Sequence, residues 1–156
     1  MKFIPRFLSR RIQSNLLKLL KPLVHEIQLG THTLYGSEER LRIAPTARVA
    51  NTLFNTYSGS IEICDHAFTG HNVSLLTGSH NYLETRENRM EVSPKDGNHI
   101  LVEEGVWLCS NVIVIGPARI GKDSVIATGS VVICDIPSGV IAGGIPAKVI
   151  KEIPYK

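Results

Sequence analysis

A chain of 156 residues is one domain long and large enough to bury a core without disulfides or a structural metal. Apolar residues make up 43% of it and aromatics only 6%, so the interior must be built from Ile, Val, Leu and Ala, which favours stacked aliphatic strands. Cys64, Cys109 and Cys134 are odd in number and lack paired ligand spacing, and no apolar run reaches the roughly eighteen residues of a spanning helix. A disulfide framework, a zinc site and a membrane span are therefore not indicated, and a reducing, cytoplasmic setting is expected.

The formal net charge of +3 is unevenly spread. Residues 1–30 hold six Lys and Arg against Glu26 alone, which is +5 and leaves the rest of the chain near −2. Among these cations Ile4, Leu8, Ile12, Leu16, Leu19, Leu20 and Leu23 recur every three or four residues. That is the period of a basic amphipathic helix, which Pro22 should end. Residues 1–30 are assigned to this segment and residues 31–156 to a separate β domain. Two roles stay open for the helix: packing its leucine stripe on the protein or a neighbouring subunit, or weak contact of residues 1–24 with an anionic membrane surface. No nucleic-acid partner is expected.

From residue 43 the apolar period becomes six. The chain reads "ICDHAF", "TGHNVS", "LLTGSH" from Ile63, then "VEEGVW", "LCSNVI", "VIGPAR", "IGKDSV", "IATGSV", "VICDIP" from Val102. First positions in the second block are Val102, Leu108, Val114, Ile120, Ile126 and Val132; fifth positions are small or β-branched throughout. Before Ile63 the fifth-position register takes Ile43, Val49 and Ile61, with Asn55 its polar exception. Six residues cover one flat face and one corner, and three faces close a triangular coil of about eighteen residues. The first-position side chain should point inward. The second position, occupied by Gly70, Gly121 and Ala127, should need positive φ or little side chain, and Cys64 and Cys109 in that slot read as small buried residues. His66 and His71 fall in outward slots.

At His80 the rhythm stops, to resume only at "ILVEEGVWL". The insertion from Asn81 to His99 is too polar for coil, and a loop longer than about fifteen residues in a compact domain usually covers a binding site. Histidine titrates near pH ~6.5, which suits it to moving a proton at neutral pH. Trp107 occupies an outward slot, so it forms either a subunit contact or the wall of a binding site.

This repeat, over roughly residues 41–150, resembles the left-handed parallel β-helix acyltransferases, and the ending "SGVIAGGIPAKVIKEI" is similar to theirs. The resemblance, and not the period, implies the left hand. Within that group "LLTGSHNY" is similar to the Thr-Gly-His motif of galactoside, maltose and nodulation sugar O-acetyltransferases, with Ser79 inserted. It implies that His80 is the general base that takes the proton of an attacking hydroxyl. It also implies acetyl-CoA as co-substrate, contacted by Trp107, Ser110, Gly116, Thr128, Lys148 and Lys151, and a homotrimer whose site is shared between chains. Asn55, Tyr82 and Arg86 are the candidates for the acceptor, a small molecule or glycan. "VICDIP" departs from many relatives, since Ile133 and Cys134 replace a polar pair near the nucleotide. "TGHNVSLLTG" is similar to a zinc-binding stretch of γ-class carbonic anhydrases, but Leu76 stands where a second ligand is needed, and no metal is expected. The expected function is acetyl transfer to a hydroxyl of a sugar or surface-glycan precursor. The alternatives are N-acetylation of an amino nucleotide-sugar and a non-catalytic β-helix scaffold.

Overall fold

The computed structural model describes Ile12, residues 14–16, residues 18–21 and residues 32–154. Ile12 and residues 14–16 and 18–21 are helical; the remainder of the predicted 1–30 segment lies outside the described residues. Residues 33–152 wind as a triangular parallel β-solenoid. The first face holds β1 (Thr33–Tyr35), β3 (Thr52–Asn55), β6 (Val73–Leu76), β9 (Ile113–Ile115) and β12 (Val131–Val132). The second holds β2 (Leu41–Ile43), β4 (Ile61–Ile63), β7 (Ile100–Val102) and β10 (Ala118–Ile120). The third holds β5 (Phe68–Thr69), β8 (Trp107–Leu108), β11 (Val125–Ile126) and β13 (Val140–Gly144), and ends on β14 (Ala147–Glu152), which runs antiparallel to β13.

The inward columns follow the hexads. Ile63, Leu75, Val102, Leu108, Val114, Ile120, Ile126 and Val132 are fully buried in first positions, with Thr69 the half-buried exception. Fifth positions apart from Ser79 at the break are buried as well, including Ser124 and Ser130, whose hydroxyls donate to the carbonyls of Gly121 and Ala127 at 2.6 Å. Before Ile63 the phase differs from the expected one. Ile43 pairs with Ile63, which puts it in the first slot; Phe54 pairs with Leu75 and is buried, and Asn55 pairs with Leu76 at the strand end, half-buried. Two corners cause the slip: three extra residues between Phe54 and Ile61 put Thr52 and not Asn55 beside Val73, and one residue fewer at Asn51 leaves Ile43 and Val49 two positions out, in first slots.

The corners also work differently from the expectation. Positive φ falls in the fourth slot, on His66 (59°), Asn72 (56°), Gly105 (70°), Asn111 (61°), Asp123 (57°) and Gly129 (73°). These are residue types for which the left-handed region is least costly. Gly70 in the second slot is needed for close approach, because a Cβ there would lie 2.6 Å from the backbone nitrogen of Ser110. Cys64 and Cys109 are half-buried rather than buried. At the third-to-first corner the amides of Asn51, Asn72 and Asn111 stack as a ladder, with N···O distances of 2.6 and 3.4 Å. The insertion of residues 81–99 leaves the coil at the first-to-second corner and contains one short helix, α1 (Arg86–Glu91).

Two substitutions separate these corner rules. Gly70→Ala should cost about 1–3 kcal/mol by overpacking against Ser110. Gly129→Asn, in open space and in the conformation Asn111 adopts one coil below, should be nearly neutral. Urea midpoints of the two variants check this; equal losses would remove close approach as the reason for Gly70.

Candidate active site

The first-to-second corner is the most tightly stitched part of the coil. Thr77 is buried, its N–H and its Oγ1 both donate to the Asn55 carbonyl (2.9 and 2.8 Å), and its Oγ1 accepts from the Ser58 N–H at 3.2 Å. Asn98, at the far end of the insertion, donates from Nδ2 to the Thr77 carbonyl at 2.9 Å and from its N–H to the Ser58 carbonyl at 3.0 Å. Gly78 lies against the Asn55 side chain, where a Cβ would come within 2.7 Å of Nδ2. Asn55 Oδ1 accepts from the Tyr57 N–H at 3.0 Å, so the orientation of this amide is set by the coil. His80 emerges two residues beyond this fixed rim and is exposed.

The insertion is held at both ends. Arg89 donates from Nε to the Glu84 carbonyl at 2.7 Å and from Nη2 to the Tyr82 carbonyl at 3.2 Å, which folds the loop back over α1 and leaves the Tyr82 and Arg86 side chains exposed. Near its other end Arg40 Nη1 donates to the Lys95 carbonyl at 2.9 Å and to the Tyr57 carbonyl at 3.4 Å, and lies 3.9 Å from Asp96. The Ser60 N–H meets His99 Nδ1 at 3.1 Å. A backbone N–H only donates, so Nδ1 accepts, the Ser60 hydroxyl at 2.8 Å donates too, and the ring proton sits on Nε2, 3.7 Å from Asp96. The hydrogen bond with Ser93, then the positive charge of Lys95, holds the Tyr57 phenol below its usual range.

The residues expected to meet the acyl donor lie elsewhere. Trp107 is outward on the third face and stacks on Phe68 with ring centroids 5.5 Å apart. Ser110 and the exposed Thr128 occupy successive third-to-first corners. Ser110 Oγ accepts from the His71 N–H at 3.1 Å, and the Ser110 carbonyl accepts from the Gly129 N–H at 3.1 Å. Lys148 and Lys151 are exposed on β14, paired with Gly143 and Ile141. Gly116 alone shares the His80 corner, its N–H donating to the Leu76 carbonyl at 3.0 Å. One chain thus brings together Asn55, His80, Gly116 and the loop on one edge, and Ser110 with Thr128 on another. A four-residue strand such as β6 puts these edges on the order of 13 Å apart. Phe68 was missed although it holds the same sixth slot in "ICDHAF" as Trp107 in "VEEGVW"; Thr77 and the Arg40–Asp96–His99 cluster carry no signal in the hexad pattern, because each acts through a partner many residues away.

A groove of about 590 Å³ opens at the second-to-third corner, lined by Cys64, Asp65, His66, Glu103, Glu104 and Lys122. Its acids are matched within the coil. Arg119 donates to Glu103 at 2.6 Å, the Lys122 N–H donates to the other Glu103 oxygen at 2.7 Å, and the Lys122 ammonium meets Glu104 at 2.8 Å. Burial, then the charges of Glu62 and Glu103, raises the Cys64 thiol, which makes it a poor nucleophile. Among the described residues no cluster of three or more His, Cys, Asp or Glu is placed to hold a metal ion, and no helix is long and apolar enough to cross a membrane.

No family model matches the chain. It is 38% identical over 94 residues to a galactoside O-acetyltransferase of Lactococcus lactis, a match covering 60% of this chain and 44% of that protein. It is also 38% identical over 65 residues to a 2,3,4,5-tetrahydropyridine-2,6-dicarboxylate N-acetyltransferase of Clostridium perfringens, covering 42% and 28%. The chain therefore spans less than half the length of these relatives. Its fold matches the crystal structure of a hexapeptide-repeat-containing acetyltransferase from Vibrio cholerae complexed with acetyl coenzyme A, at TM-score 0.56 and 24% identity, over 93% of this chain and 87% of that one. The repeat and these matches make the chain similar to hexapeptide-repeat acetyltransferases, and the structural match shows that it has their fold.

The ion pair at the groove predicts an acid-dependent stability. The hydrogen bond from Arg119, with that from the Lys122 N–H also contributing, holds the Glu103 carboxyl below its usual range. Its contribution is therefore complete above the unfolded value of about 4.3 and is lost as pH falls through the lower folded value. Glu103→Gln should lower stability by about 1 kcal/mol or less at neutral pH, a deficit that closes below about pH 4. Urea unfolding at both pH values measures it; a deficit that persists in acid would mean lost packing instead of lost charge.

Proposed function

We propose that this chain is an acetyl-CoA-dependent O-acetyltransferase acting on a hydroxyl of a sugar or surface-glycan precursor. The observation that carries the reading is the position of His80: it is the exposed histidine at the point where the coil is pinned by Thr77 and the insertion departs. The relatives named as acetyltransferases, one of them a galactoside O-acetyltransferase, and the acetyl coenzyme A in the Vibrio cholerae neighbour support the same donor chemistry. In this reading an imidazole nitrogen of His80 accepts the proton of the acceptor hydroxyl as its oxygen attacks the thioester carbonyl. The C–O bond forms, the C–S bond breaks, and the proton passes to the departing CoA thiolate. Tyr82 and Arg86 on the insertion and Asn55 beneath it face the acceptor, and Trp107, Ser110, Gly116, Thr128, Lys148 and Lys151 serve the donor.

Because the donor residues other than Gly116 stand away from the edge that holds the acceptor residues, the reading requires a second copy to complete each site. The faces are suited to this. The first face presents Tyr35, Leu53, Ile115 and Ile133 outward and the third presents Phe68 and Trp107, whereas the middle of the second presents Arg42, Glu62 and Arg119. A ring of three chains buries two apolar faces of each and leaves the polar one in water. A left-handed coil and a cytoplasmic setting, where three unpaired thiols persist, belong to the same reading.

N-acetylation of an amino nucleotide-sugar is the second reading, favoured by the N-acetyltransferase relative. An acceptor screen with acetyl-CoA, comparing free sugars, amino sugars and nucleotide sugars by thiol release, separates the two. His80→Ala should lower kcat by about 10²–10⁴ with little change in the KM for acetyl-CoA and with the oligomer intact; full activity in that variant would sink the general-base role. Mixed assemblies of His80→Ala and Trp107→Ala chains should regain activity that neither has alone, and failure to do so would place each site within one chain.

A further inference from the structure

The insertion divides into two limbs that are held in different ways. Among the described residues, the hydrogen bonds of 81–92 run within that segment, closed at its neck by the Asn81 N–H to the Val92 carbonyl at 3.3 Å. Residues 93–99 are instead stitched to the coil. Ser93 and Lys95 meet Tyr57, the Lys95 carbonyl accepts from Arg40, and Asn98 bonds to Ser58 and Thr77. Gly59 and Gly116 let the Asn98 backbone lie directly on the coil, since a Cβ on either would strike it. Histidine is the side chain whose charge changes between about pH 5 and pH 8, and His99 is the tie of that kind. Its Nδ1 lone pair accepts from the Ser60 N–H at 3.1 Å and from the Ser60 hydroxyl at 2.8 Å. A proton added to the neutral ring enters at that lone pair, because Nε2 already carries the other one. The hydroxyl can turn and accept from the new N–H; the amide cannot, so donor faces donor and that bond must break. The charged groups around the ring favour the exchange. Asp96 Oδ1 stands 3.7 Å from Nε2 and attracts the cation, Arg40 Nη1 lies 3.9 Å from the same oxygen, and Lys95 Nζ is set apart over the Tyr57 ring, 5.5 Å from its centroid.

We propose that His99, as the neutral ring with its proton on Nε2, is a positioning residue that seats the return limb of the insertion on Ser60, and with it the acceptor-facing Tyr82 and Arg86, and that it gives up this grip on taking a second proton. It acts through the insertion and not on the reacting groups, so its loss weakens acceptor binding and leaves the donor and the proton transfer at His80 unchanged. The proposal rests on the O-acetyltransferase reading only for what the insertion faces; the bond to Ser60 is tested without turnover.

The test is amide hydrogen exchange of Ser60 in the full chain at about pH 7.5 and about pH 5, with His99→Asn and His99→Ala beside the unaltered protein. The Asn side-chain oxygen falls where Nδ1 lies and gains no proton, whereas Ala leaves the Ser60 N–H without its acceptor. Protection of that amide, corrected for the intrinsic pH dependence of exchange, should fall about tenfold on acidification of the unaltered chain, the worth of one hydrogen bond. It should stay high at both pH values with Asn and low at both with Ala. The Ile100 amide, bonded to the Ser60 carbonyl at 2.9 Å, should keep its protection throughout and so report an intact coil. In steady-state kinetics at the higher pH, His99→Ala should raise the acceptor KM about tenfold with kcat and the KM for acetyl-CoA unchanged, and His99→Asn should restore it. Equal protection of Ser60 at both pH values in the unaltered chain overturns the proposal. So does an acid-induced fall shared by His99→Asn, or an acceptor KM unmoved by His99→Ala. Absence of turnover with every acceptor would instead sink the acetyltransferase reading, and the exchange pattern would still decide whether His99 is the latch.

Discussion

Columns of identical-role side chains, stacked about 4.8 Å apart up the axis of the coil, are the constraint from which the rest of this protein follows. Each inward aliphatic residue touches the one above and the one below, so every coil is stabilised chiefly by its neighbours. No hydrophobic residue needs to reach across a wide interior, which is why 6% aromatic residues suffice. The same stacking makes the outside regular. Whatever occupies an outward slot is repeated up a flat wall, so a face becomes apolar or polar as a whole. Such a wall is flat, and relief comes from its corners: the groove beside Cys64 and His66 at one, and the rim at the corner where the insertion leaves the repeat.

That corner is rigid because its polar groups are shared among three segments distant in sequence. Asn55 and Ser58 come from the coil below, Thr77 from the coil itself and Asn98 from the returning end of the insertion. His80 thereby starts from a fixed base, while the loop beyond it is anchored at its far end by Arg40, Asp96 and His99. The insertion thus shares the Asn98 bonds with the coil beneath His80 and adds an anchor of its own at Arg40.

What was legible in the sequence was whatever repeats. The inward columns, the three faces and the place where the rhythm fails at His80 follow from spacing alone, since a period of six has one structural meaning. The lengthened corner between Phe54 and Ile61 and the shortened one at Asn51 were not legible, because both still leave apolar residues at plausible positions, and so Asn55 was assigned to a slot that Thr52 fills. The corner chemistry was misplaced by two positions. Glycine draws attention to the second slot, but His66, Asn72, Asn111 and Asp123 in the fourth carry the left-handed turns, and their types only make sense together. The donor residues were named through resemblance, and their distribution over separate edges is a property of winding that a linear reading does not expose. Phe68 under Trp107 is the plainest omission: the two hold the same slot in successive coils, and the insertion between those coils stretches their separation to 39 residues, against 18 from Trp107 to Val125.

The last strand has a consequence beyond closing the fold. A parallel solenoid ends in bare ladder edges, and another copy's first coil would fit such an edge and propagate into a fibre. Here β14 turns back antiparallel across the end of the third face, and its exposed Lys148, Lys151 and Glu152, followed by Pro154, offer an incoming strand charge and a missing donor. Strand addition is therefore discouraged along that edge of the third face.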